Sequence, residues 1–184
     1  AADVATISQV QHIEELTATI RGAAKRHNYV YPSPDNPNAP TSYTALLELE
    51  SVSHELAAER SHELRVEIAK ELRTLADAYW QQNEASKIAV EFYAQVVLFD
   101  PNDELANSRA LLSSEDLKAL ARDAADLSFD MDELIAFEPL LVVAERNRVL
   151  RRQKWEKHLR RKREAKVETE LSSELDALAD RKSV

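Results

Sequence analysis

Residues 72–101 read LRTLADAYWQQNEASKIAVEFYAQVVLFDP, and the organisation of the chain follows from this stretch. Leu72, Leu75 and Tyr79 recur at the three- and four-residue spacing of one helical face. Asn83-Glu84 predicts a turn, and Ala85 to Phe99 predicts a second helix, ended by Asp100-Pro101-Asn102-Asp103. Two helices joined by a few polar residues must pack antiparallel, so the stretch predicts a helical hairpin.

The same spacing extends towards the N-terminus. No Gly or Pro lies between residues 41 and 100. Leu46, Leu49, Val52 and Leu56 form one stripe, and Leu64, Ile68 and Leu72 continue it. Thr41 or Ser42 is the expected cap, because a hydroxyl there accepts from an unpaired amide of the first turn. The favoured expectation is a single helix across residues 41–82. The alternative is a break near Ala58–Ser61. Ahead of it, residues 28–40 hold Pro32, Pro34, Pro37 and Pro40, which remove amide donors and exclude helix or central strand. That segment is expected to be a stiff connecting loop, with an exposed polyproline ligand as the alternative. Val4, Ile7, Val10, Ile13, Leu16 and Ile20 predict a first helix over residues 3–27.

Beyond the hairpin, short helices are expected near 103–111 and 115–126, the latter capped by Ser113 or Ser114. Asp130 and Glu133 have capping-box spacing for a further short helix. Pro139 is expected to start the last long helix, at the position where its missing N–H costs nothing.

Composition supports an all-α fold. The chain of 184 residues has a single glycine, whereas hairpin turns and phosphate loops need several. Helix should exceed about 65% of residues, well above the usual third. The absence of cysteine excludes disulfides, thiol catalysis and cysteine-ligated metal, and fits a cytoplasmic location. No apolar run reaches the roughly 18 residues of a membrane span. The start at Ala1-Ala2-Asp3 suggests a processed form or a fragment of a larger protein.

Residues 72–101 resemble a tetratricopeptide repeat (TPR), a 34-residue helix–turn–helix unit. Leu75, Ala76 and Tyr79 match the small-residue and aromatic pattern of the repeat's first helix. Ala89, Tyr93 and Val96 match the packing positions of its second, and Pro101 its terminal proline. One residue more separates Tyr79 from Ala89 than the family has, and Ala76 replaces the family's glycine. No second copy follows at a 34-residue offset. The resemblance implies antiparallel helical hairpins in a TPR-like domain over residues 1–140. The alternative is a generic helical hairpin. It also implies that the module binds peptides or partner proteins without doing chemistry, as adaptors and scaffolds in larger bacterial signalling proteins do.

Charge sets residues 141–184 apart as a basic C-terminal helix or arm. Residues 146–166 carry eleven Lys/Arg and two Glu, a local +9, which leaves −18 on the rest of a chain of net charge −9. At 100° per residue, Trp155 and Leu159 share one side while Leu150 and Leu171 point elsewhere. The helix is therefore expected to project into solvent or to be covered by an acidic partner. The candidate partner-binding residues are Arg151, Arg152, Lys154, Trp155, Lys157, Arg160, Arg161, Lys162 and Arg163. An acidic protein surface or peptide is the expected partner. Nucleic acid is the alternative, disfavoured by the acidic body and by the lack of aromatics beside Trp155. Val167, Leu171, Leu175 and Leu178 resume helical spacing after the basic segment, which leaves docking or self-association open.

Catalytic, metal and cofactor sites are not expected. Glu59 and His62 make one Glu-x-x-His pair, where di-iron bundles need two. No serine sits in a nucleophile elbow. Trp80 is expected at the hairpin rim, with a role as an aromatic anchor for a partner as the alternative.

Overall fold

The computed structural model describes residues 3–82 and 86–183. The protein is all-α: 80% of it is helical, and the described residues contain no strand. Among the described residues seven helices follow one another: α1 (Asp3–Lys25), α2 (Ser42–Ser51), α3 (Glu55–Trp80), α4 (Ser86–Phe99), α5 (Glu104–Ala110), α6 (Ser114–Asp126) and α7 (Met131–Lys182). The chain divides into two compact units, Ala1–Leu141 and Val142–Val184. The turn expected at Asn83-Glu84 lies outside the described residues.

In the first unit α1 packs on α2 and α3, α3 on α4, and α4 on α5, while α6 lies against α2 and α4. Ile13, Leu16 and Ile20 of α1 are buried with Leu46, Leu49, Leu64, Ile68 and Leu72. Val4 and Ile7 share their spacing but are exposed, so the apolar face of α1 enters the core only from its third turn. Removing such side chains from water stabilises the unit by roughly 1.5–3 kcal/mol each.

The single helix expected over residues 41–82 is two. α2 ends at Ser51, and α3 begins after His54, whose backbone is extended and whose Nδ1 accepts from the Leu56 amide at 3.1 Å. Side-chain capping by His54 satisfies an amide that a continuous helix would have bonded to a carbonyl one turn back. The break lies at Val52–His54, ahead of the alternative at Ala58–Ser61. Neither Gly nor Pro marks it. The start of α2 is as expected: Thr41 and Thr44 form a reciprocal capping box, and Thr41 is fully buried.

The proline-rich segment is a connecting loop with an apolar anchor. Tyr29 and Val30 are buried, and the amides of Ser42 and Tyr43 bond the carbonyls of Asn28 and Tyr29, both at 2.9 Å. Tyr31 packs against Phe129 and Phe137, with ring centroids 4.6 and 5.6 Å away. Three helix-ending residues hold left-handed backbone without being glycine: His27 (φ 60°), Leu111 (φ 54°) and Leu127 (φ 51°).

Ser113 caps α6 through a capping box with Asp116. The separate short helix expected after Asp130 and the new start at Pro139 are not found. α7 begins at Met131, with the Asp132 amide bonded to Asp130 Oδ1 at 2.8 Å, and runs through Pro139. Proline forfeits one helical hydrogen bond, at about 3 kcal/mol. Glu133, Leu134, Ala136 and Glu138 before it and the Leu-, Glu-, Arg- and Lys-rich residues after it favour helix.

Candidate interaction surfaces

The hairpin of α3 and α4 is antiparallel. The Tyr79 and Phe92 rings stack at 5.5 Å near one end, while Arg65 Nη1 donates to the carbonyls of Leu98 (3.1 Å) and Phe99 (3.3 Å) near the other. Of the residues singled out for repeat packing, Ala76, Tyr79, Ala89, Tyr93 and Val96 are buried, with Ala76, Ala89, Tyr93 and Val96 fully so. Two fully buried alanines leave no side chain beyond Cβ at those positions, which suits closely approaching helices. Leu75 is half-buried and Pro101 is exposed, so these two are not core residues.

A polar network at the side of this hairpin was not foreseen. Tyr93 Oη donates to Asp77 Oδ1 and accepts from Arg109 Nη1 at 2.7 Å. Arg73 reaches Asp77 at 3.1 Å and also pairs with Asp103, the cap of α5. Burial, then the Asp77 carboxylate, pushes the Tyr93 hydroxyl above its ordinary range. Trp80 sits at the rim as expected, 36% exposed, with Tyr93 edge-on at 5.7 Å. The network thus fastens α5 to the hairpin. The only sequence signal for it was the clustering of Arg73, Asp77, Asp103 and Arg109, which is ordinary in so charged a chain.

Along α3 and the α4–α5 turn lies a groove of about 440 Å³. Val66, Ala69, Phe99 and Pro101 contribute apolar lining, and His62 and Lys70 bring polar groups to it. Val66 is 58% exposed within an otherwise well-packed helix. Glu59 and His62 are both exposed, and the described residues contain no group of three or more His, Cys, Asp or Glu able to hold a metal ion. No helix of the described residues is long and apolar enough to cross a membrane.

The second unit is the remainder of α7. Its described side chains, from Val142 to Ser183, are all exposed. They include the candidate residues Arg151, Arg152, Lys154, Trp155, Lys157, Arg160, Arg161, Lys162 and Arg163. Trp155 is 61% exposed and stacks on His158 at 5.8 Å, one turn on. Among the described residues, ion pairs along the helix include Arg152–Glu156 at 3.2 Å and Lys166–Glu170 at 3.9 Å. Such exposed pairs are worth only a few tenths of a kcal/mol each. Val167, Leu171, Leu175 and Leu178 are exposed by 54%, 55%, 66% and 52%.

Comparison with protein-family models, with curated proteins and with solved structures finds no match.

Proposed function

We propose that the chain is a non-catalytic protein–protein interaction module, an adaptor or scaffold, whose basic helix contacts an acidic protein surface. The observation that carries this reading is the exposure of the described side chains of residues 146–166. A +9 segment with every described side chain in water is poised for a charged partner. The remaining −18 would repel a polyanion that came close, and Trp155 stands without the aromatic platform that single strands stack upon. The hairpin of residues 72–101 is read as one degenerate TPR-like repeat, supported by the buried Ala76, Tyr79, Ala89, Tyr93 and Val96. The groove beside it offers apolar surface to a peptide. The cysteine-free composition fits a cytoplasmic setting.

The test is fluorescence anisotropy of labelled duplex DNA and single-stranded RNA near physiological salt, paired with affinity capture and mass spectrometry. Nucleic-acid binding no tighter than about micromolar is expected, the level of non-specific association. A captured acidic protein should be lost when Arg160, Arg161, Lys162 and Arg163 become Glu. Submicromolar nucleic-acid binding lost in the same variant would instead make the chain a nucleic-acid-associated accessory protein.

A further inference from the structure

The second unit carries a basic block followed by an acidic one on a single helix. Residues 146–166 hold +9, and residues 167–180 hold Glu168, Glu170, Glu174, Asp176 and Asp180 with no Lys or Arg. The acidic block also bears the exposed Val167, Leu171, Leu175 and Leu178. At 100° per residue these four lie within an arc of about 80°. That is the width of a seam that another helix covers.

We propose that α7 self-associates with a second copy of this chain in antiparallel orientation, the basic block of each covering the acidic, leucine-bearing block of the other. The proposal rests on reading the basic helix as a protein-contact element and names its partner. Orientation follows from charge. A parallel pair would set +9 beside +9. In an antiparallel pair centred between Ala165 and Lys166, every pair of facing positions sums to the same residue total. Glu168, Glu170 and Glu174, which flank the seam, then fall level with Arg163, Arg161 and Lys157 of the second copy. By symmetry each of these three pairings occurs twice. The same overlap brings Leu171 level with Arg160 and Leu178 level with Gln153, whose aliphatic stems can lie along the leucine seam. Oppositely charged rows along a narrow apolar stripe select partner and direction as the flanking charges of coiled coils do.

Sedimentation equilibrium of the full chain provides the test. A dimer is expected at 150 mM salt, and its dissociation constant should rise at least tenfold at 1 M salt. Two variants then probe the pairing: Lys157→Glu, Arg161→Glu, Arg163→Glu in one, and Glu168→Lys, Glu170→Lys, Glu174→Lys in the other. Each should be monomeric alone, with wild-type helicity by circular dichroism, and the two mixed should form a heterodimer. The triple variant Leu171→Ala, Leu175→Ala, Leu178→Ala should weaken the wild-type dimer. A chain monomeric at 100 µM, a dimer that tightens with salt, or swapped variants that fail to pair when mixed would overturn the proposal. A monomer that still captures an acidic protein through Arg160–Arg163 would overturn self-association alone and leave the adaptor reading intact. A salt-sensitive dimer that binds RNA below micromolar would support self-association and overturn the adaptor reading.

Discussion

Arg109 of α5 lies over the indole of Trp80 at the end of α3, its guanidinium carbon 4.5 Å from the ring centroid. The same guanidinium donates to Tyr93 Oη at 2.7 Å. One side chain therefore ties a seven-residue helix, too short to be stable alone, to both helices of the hairpin. Arg109→Ala should lower unfolding stability by about 1–2 kcal/mol, combining a cation–π contact with a charged hydrogen bond. Chemical denaturation checks this. Lys at the same position should recover little, because it lacks the planar fork that reaches ring and hydroxyl together.

Ala89 is fully buried on the α4 face of the hairpin. Ala89→Leu should overpack the contact at roughly 1–3 kcal/mol, read as a lowered melting temperature. Unchanged thermal stability would show that the helices do not approach closely there.

Thr41 is fully buried and caps α2, in a reciprocal pair with Thr44. Thr41→Ala should cost about 0.5–2 kcal/mol, while Thr41→Ser should retain most of the stability. Denaturant midpoints of the two variants make the comparison.

Glu91 faces the Tyr31 hydroxyl at 3.5 Å, and its carboxyl is held above the ordinary range by burial and by the neighbouring Glu133, against the opposing pull of the Tyr31 bond. A raised acid binds its proton more tightly in the folded state than in the unfolded one. Its contribution is therefore favourable below its folded pKa and lost as pH rises from the ordinary carboxylate value through that raised one. Glu91→Gln should accordingly be at least as stable as wild type at neutral pH. The difference should close as pH falls through the carboxylate range. Thermal melts from pH 4 to 8 make the measurement, and a variant less stable than wild type at pH 7.5 would contradict it.

The helical class, the Thr41 and Ser113 caps and the buried faces of α1, α3 and α4 were legible because each is written locally, in apolar spacing or in a hydroxyl before a stripe. The break at Val52–His54 was hidden because histidine is an uncommon cap, and the stripe through Val52 and Leu56 crosses the gap without losing phase. Pro139 misled in the opposite direction. A residue that often opens a helix lies inside one, because its cost is small beside the helix-forming run around it. The exposure of the described side chains of residues 146–166 goes with their broken apolar face. The Arg73–Asp77–Tyr93–Arg109 network was not legible, because it joins residues up to 36 positions apart that only tertiary packing assembles.

The left-handed residues at His27, Leu111 and Leu127 set an order of local opening. Left-handed backbone at a residue with a Cβ costs about 1–2 kcal/mol, and only the surrounding packing holds it. Leu111 and Leu127 bracket α6, and Leu111 is 73% exposed, so little packing opposes its release. The helix between them is the cooperative segment that should detach first. Its amides should exchange with solvent deuterium through a sub-global opening, while those of α3 and α4 exchange only when the whole unit unfolds.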